Sequence, residues 1–170
     1  MKKIGKENLS FEIRPIEEKD NRCIQRIIQI SLEEVGLDQP GTAYFDPQLG
    51  SLFEYYQQEK KSQYWVAVEK KSGQIVGGIG IGSFGDHDGV CELQKYYVDH
   101  SFQKLGIGRM LFDEAFAFAK QMGYKSIYIE TMDLLSKANN IYEHYDFQLL
   151  DKPLSGSEHG LMNRWYMKKI

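Results

Sequence analysis

The sequence predicts an α/β (α+β) fold built on a mixed sheet, and three observations point to it. Apolar residues first recur at helical spacing, at Cys23, Ile24, Ile27, Ile28 and Leu32. From Gln63 the pattern changes to short runs rich in Val, Ile and Tyr, separated by Ser72-Gly73 and by Asp86-His87-Asp88-Gly89. A second helical stripe (Ile107, Met110, Leu111, Ala115, Phe118, Met122) is then followed by further strand-like runs.

Taken in order, Phe11, Ile13 and Ile16 around Arg14 suggest a first strand, closed by Pro15 and the charges after it. A helix follows from Glu17 to Val35, with Asp20-Asn21 as its cap region and Gly36 as its stop. Leu37 to Gly50, with Pro40, Gly41 and Pro47, reads as an irregular loop. A loop of that length is either functional or a plain connection. A short helix is expected over Leu52–Glu59, then strands over Gln63–Glu69, Gln74–Ile81 and Val90–Asp99. The Asp86-His87-Asp88 group is read as a turn, because Asp and Gly are ordinary turn residues, and no metal is assigned.

Gly123 ends the helix that begins near Ile107. A strand over Tyr124–Met132 and a helix over Leu134–Tyr145 come next. Two closing strands, Phe147–Leu150 and Leu161–Ile170, flank a Ser155-Gly156-Ser157 loop. No linker, repeat or low-complexity stretch divides the 170 residues, so one domain over residues 1–170 is expected.

Composition narrows the function. The formal charge is −3 and the basic pairs are scattered beside turns, which argues against nucleic acid as a partner. No segment has the length and apolarity of a membrane span, and the charged N-terminus lacks the apolar run of a signal peptide. Cys23 and Cys91 belong to no CxxC pair or metal cluster, so both are expected as core thiols in a reducing cytoplasm. Exposed strand edges near the C-terminus would allow a homodimer.

The most informative stretch runs from Tyr96 to Arg109. It passes from strand, through a polar loop, into a helix with Gly106 and Gly108 in its first turn. Helix N-termini present free N–H donors and a positive partial charge, which suit phosphate. Glycines there let phosphate oxygens approach, and Lys104 and Arg109 can add charge. The stretch lacks both the third glycine of a dinucleotide fingerprint and the Gly-Lys-Ser/Thr of a P-loop.

Gln103-Lys104-Leu105-Gly106-Ile107-Gly108 resembles the Gln/Arg-x-x-Gly-x-Gly/Ala pyrophosphate motif of the GNAT superfamily of N-acetyltransferases. The similarity covers nearly the whole chain and is densest from Cys91 to Phe147. It implies a single-domain, mostly antiparallel sheet flanked by helices, with acetyl-CoA as co-substrate. By that resemblance, backbone N–H groups from Lys104 to Arg109 cradle the pyrophosphate, while Tyr97 and Val98 lie along the pantetheine arm.

Direct acetyl transfer needs a base, because a protonated amine (pKa about 10) has no free lone pair. Glu92, eleven residues before Gln103, matches the catalytic glutamate of the protein-lysine branch. Desolvation on a half-buried strand suits a base; binding a substrate ammonium is the other role open to it. Glu130, on the next strand, could complete an anionic pocket, and Tyr96 and His159 are further candidates for substrate contact.

Ala138 to Phe147 resembles the family's Ala-x-x-x-Tyr-x-x-x-Gly-Phe element, which makes Tyr142 the candidate acid for the leaving thiolate. Asp146 replaces the usual Gly, and Leu135 stands where the family often has Asn. Asn139 or Asn140 is then left to reach the cofactor. A main-chain N–H near Tyr96, freed by a β-bulge, is the implied oxyanion donor.

The reading is therefore an N-acetyltransferase acting on a primary amine by direct attack through a tetrahedral intermediate. A small molecule or amino acid is favoured over a protein lysine. A non-catalytic coenzyme A module and a mononucleotide-binding regulatory domain are the alternatives.

Overall fold

The computed structural model describes residues 9–157 and 160–170. The charged N-terminal segment and His159 lie outside the described residues. Seven strands form one sheet: β1 (Phe11–Pro15), β2 (Gln63–Glu69), β3 (Ile75–Ser83), β4 (Val90–Val98), β5 (Ser126–Thr131), β6 (Gln148–Leu150) and β7 (Arg164–Lys169). Their order is β1-β2-β3-β4-β5-β7-β6. Every neighbouring pair is antiparallel except β4 with β5. A parallel pair needs a crossover, which helix α3 (Ile107–Gln121) supplies. This is the mixed, mostly antiparallel sheet that was expected.

Helices cover both faces. On one, α1 (Asn21–Glu33) and α2 (Leu52–Gln58) bury Ile24, Ile28, Leu32 and Leu52 against Tyr64 and Val66. On the other, α3 and α4 (Ser136–His144) bury Leu111, Phe112, Ala115 and Tyr142 against Trp65 and Ile127. Each fully buried Leu, Ile or Phe contributes roughly 2 kcal/mol of hydrophobic stabilisation. β2 supplies both cores, which is why its sequence is apolar nearly throughout.

One expectation for α1 is corrected. Cys23 is exposed, because the buried stripe is Ile24, Ile27, Ile28 and Leu32 and the adjacent position turns about 100° away. Asp20 is the N-cap of α1, where the cap region was expected, without a side-chain hydrogen bond to the helix. Asp20 accepts two hydrogen bonds from Arg14, at 2.7 and 3.0 Å, and one from the Glu17 amide. Asn21 bridges α1 to α2: its amide donates to Glu54 and its oxygen accepts from the Phe53 N–H. Asp146 takes a left-handed φ of +61°, as a residue in the usual glycine position must.

β4 carries the feature that shapes the site. Gly78 pairs with Tyr97 and Gly80 with Gln94, so the β4 side holds one extra residue. Lys95, at φ +47°, is in this bulge, and its carbonyl accepts a 2.8 Å hydrogen bond from the Tyr64 hydroxyl. A one-residue insertion reverses the facing of everything after it. Tyr96 therefore packs on the α3 core, and Tyr97 on the α1–α2 core.

Candidate active site

β4 and β5 pair only from Val90/Ser126 to Glu92/Tyr128. Beyond that point the strands part, and a cleft of about 1010 Å³ opens between them. Its walls include Leu93 to Val98 from β4, Ile129 to Thr131 from β5 with Met132 just after it, the Gly106–Gly108 turn and the start of α4. The β4 edge facing β5 carries no ladder past Glu92, so it can take up an extended ligand as an added strand.

At one end of the cleft, α3 begins without a capping side chain and without an acidic residue in its first turn. Lys104 and Gly106 both adopt left-handed φ, +65° and +82°, a geometry that converges successive amides into an anion-binding concavity. The Gln103 amide donates to the Val98 carbonyl at 3.3 Å and ties the loop to β4. Leu105 packs against the core and Ile107 is buried within it, so the two anchor the loop. His100, Lys104 and Lys137 add charged or polar side chains to this end.

The two glycines have different duties. Gly106 has open space where a Cβ would go and is required by its backbone conformation. A Cβ on Gly108 would collide with the Tyr96 hydroxyl, so that glycine makes room for a protein group. Burial raises the Tyr96 phenol to about 12, and its ring packs 4.9 Å from Phe112. Arg109 lies outside the lining of the main cleft. Its side chain is 81 % exposed, 3.9 Å from Asp113, and lines a shallow neighbouring depression with Tyr145.

The other end is acidic. Glu34, Asp46, Glu92 and Glu130 all line it, and Lys95 beside them is paired with Asp46 at 2.6 Å. Glu92 and Glu130 are brought to the same cavity, as their neighbouring strands implied. The Glu92 carboxylate accepts a 2.8 Å hydrogen bond from the Gln94 amide, and the Gln94 oxygen accepts a 2.6 Å bond from Tyr56. Glu130 accepts from the Tyr128 hydroxyl at 3.1 Å. The loop over residues 37–50 contributes Leu37, Thr42, Ala43 and Asp46, so it belongs to the site and is not a bare connection.

Tyr142 lines the cleft between the two ends. It is buried among Phe112, Phe147 and Tyr166, and burial pushes its phenol far above the ordinary range. Tyr145, three residues on, stacks on Phe112 with ring centroids 4.6 Å apart. Asn139 is corrected: it is buried and donates to the Met132 carbonyl at 3.0 Å, pinning α4 to the end of β5. Asn140 lines the cleft in its place. Tyr96 also lines the cleft, with the bulge turning its ring toward α3 while Glu92 and Gln94 lie on the other face of β4.

Sequence reasoning missed Gln94, Lys95 and Lys137. Gln94 and Lys95 lie in the Cys91-Glu92-Leu93-Gln94-Lys95-Tyr96 segment already singled out, but their partners are 38 and 49 residues away in the chain. Among the described residues no group of three His, Cys, Asp or Glu could hold a metal ion, and His87 instead contacts the Ser155 carbonyl at 2.7 Å. No described helix is long and apolar enough to cross a membrane.

A splayed parallel pair, an uncapped helix start and a bulged strand beside them can be compared directly with known proteins. The chain matches the model of the acetyltransferase (GNAT) family over residues 26–147. It is 35% identical over 143 residues to the uncharacterized N-acetyltransferase YjgM of Escherichia coli, covering 83% of this chain and 84% of that one. A GNAT-family acetyltransferase structure from Staphylococcus aureus superposes with a TM-score of 0.83 at 23% identity, covering 94% of this chain and 99% of that one. The PaiA N-acetyltransferase of Thermoplasma acidophilum, solved in complex with coenzyme A, superposes with a TM-score of 0.73 at 17% identity, covering 95% and 99%. Sequence and architecture agree, and the chain belongs to the acetyltransferase (GNAT) family.

Proposed function

We propose that the protein transfers the acetyl group of acetyl-CoA to a primary amine by direct attack. One observation carries this reading: a single cleft runs from the uncapped start of α3, along the open edge of β4, to the carboxylates of Glu92 and Glu130. Acetyl-CoA supplies an acetyl thioester, activated for attack. The amides at Lys104–Gly108 and the Lys104 ammonium bind the diphosphate. The β4 edge at Tyr97 and Val98 aligns the pantetheine arm as an added strand.

At the other end Glu92 takes the proton of the incoming ammonium, directly or through water, and Glu130 adds negative potential that attracts it. A main-chain N–H of the Lys95–Tyr96 bulge donates to the developing oxyanion. Tyr142 gives its proton to the thiolate as the C–S bond breaks, and the proton that the attacking nitrogen sheds on becoming an amide restores the phenol, which burial favours in its protonated form. The acceptor is cationic, and the exposed Val35 and Leu134 offer apolar surface to the rest of it. A small amine or amino acid fits this enclosure better than a folded protein's lysine.

The positions of the two thiols support direct transfer. Burial pushes the Cys91 thiol up to about 12, where it is not a nucleophile, and Cys23 lies exposed on α1. Both are free thiols, which suits a reducing, cytoplasmic setting. The test is thiol release from acetyl-CoA against a panel of small amines, amino acids and lysine peptides. Release that needs an amine and leaves an N-acetylated product supports the proposal. Coenzyme A binding without turnover for any amine contradicts it.

A further inference from the structure

The hydrogen bonds behind Glu92 form a chain built into the fold. The Tyr56 hydroxyl donates to the Gln94 Oε1 at 2.6 Å, and the Gln94 Nε2 donates to the Glu92 Oε2 at 2.8 Å. Tyr56 is buried, in a tilted contact with Tyr64 at 5.4 Å. Two glycines of β3 leave the room this chain occupies. A Cβ on Gly80 would collide with the Tyr56 hydroxyl, and one on Gly82 would fall 2.9 Å from the Gln94 oxygen.

The chain has a direction. A buried phenol stays protonated and can donate, and here Tyr56 does so to the Gln94 oxygen, which faces it. The amide nitrogen, with two protons and no lone pair to offer, must then face Glu92. An N–H donor favours the ionised carboxylate over the acid. We infer that Gln94 is a positioning residue, oriented by Tyr56, that holds the Glu92 carboxylate ionised and aimed into the cleft. This rests on Glu92 being the base of the proposed transfer.

Other charged groups face the same point and set the background for its titration. Tyr128 is opposite Glu92 on β5, and Glu130 beyond it accepts from the Tyr128 hydroxyl. Asp46, held by Lys95, and Tyr55 approach from the side of Tyr56. Cys91, on the same strand, points into the opposite core. Glu130 and Asp46 oppose ionisation of Glu92, so a dedicated donor has work to do there.

The test compares the full-length protein with Gln94→Met and Tyr56→Phe, which keep size and ring packing. Two quantities are read: the acid limb of kcat/KM for an amine, and the Glu92 carboxyl titration by carbon-13 NMR, assigned with Glu92→Gln. Removing the donor should move both midpoints upward by about one pH unit in Gln94→Met, the scale of a hydrogen bond to a charged group. Tyr56→Phe should move them the same way by less, with coenzyme A affinity unchanged. A shifted carboxyl midpoint with an unmoved acid limb upholds the relay and removes Glu92 as base. An unmoved carboxyl midpoint in both variants overturns the inference, whatever the activity.

Discussion

Lys95 reaches Asp46 across the mouth of the cleft, with the ammonium 2.6 Å from the carboxylate and the two side chains 10% and 15% exposed. The pair joins the bulge of β4 to the loop that roofs the acidic end, so one contact links strand geometry to the shape of the acceptor pocket. Removing one partner leaves the other charge nearly buried. Asp46→Asn is expected to cost about 3 kcal/mol in urea unfolding and to raise the KM for the amine. The double substitution Asp46→Leu with Lys95→Met should regain much of the stability but not the KM.

Gly108 and Tyr96 should behave as a coupled pair. Gly108→Ala alone forces a Cβ onto the Tyr96 hydroxyl and should weaken coenzyme A binding by shifting the start of α3. Adding Tyr96→Phe removes the oxygen and should restore most of the affinity. A double-mutant cycle by calorimetry checks this, with a coupling of roughly 1 kcal/mol expected for groups in contact.

Lys104 and Arg109 should separate in the same assay. Lys104 lines the cleft, whereas Arg109 sits outside it beside Asp113. Lys104→Ala should lower coenzyme A affinity about tenfold, in line with loss of a charge-assisted phosphate contact, and the loss should shrink at high salt. Arg109→Ala should change affinity less than about twofold, within the range of a surface substitution.

Tyr142→Phe should lower kcat by about a hundredfold while leaving coenzyme A affinity intact, the scale of a lost general acid. Because burial raises this phenol, its acid form persists through neutral pH and is lost only far on the alkaline side. The wild-type rate should therefore show no basic limb from Tyr142 below about pH 10, the ordinary phenol value. A basic limb that disappears in Tyr142→Phe would contradict the account.

Much of this architecture was legible in the chain. The boundaries of β2 were read directly, because its apolar run is bounded by turn residues. The left-handed Asp146 follows from which residues tolerate positive φ, whereas Gly106 reads in the sequence as room for phosphate and its positive φ emerges only from the structure. The bulge was implied only by the family resemblance, since nothing in the residue types of Gln94-Lys95-Tyr96 marks an extra residue, yet it decides that Tyr96 leaves the face of Glu92 and Tyr97 joins it. Asn139 and Asn140 were inseparable for a similar reason. One step along a helix turns a side chain by about 100°, and only the packing of α4 says which asparagine meets the cleft. The Tyr56–Gln94 contact joins residues 38 apart and has no local signature at all.

Calorimetric titration of the full chain with coenzyme A, beside pantetheine lacking the diphosphate, tests the central claim most directly. A cleft that grips the diphosphate at the start of α3 predicts saturable binding of coenzyme A and at least about tenfold weaker binding of pantetheine, a difference of 1.4 kcal/mol or more. Equal affinity for both, or no heat with coenzyme A from folded protein, would contradict it.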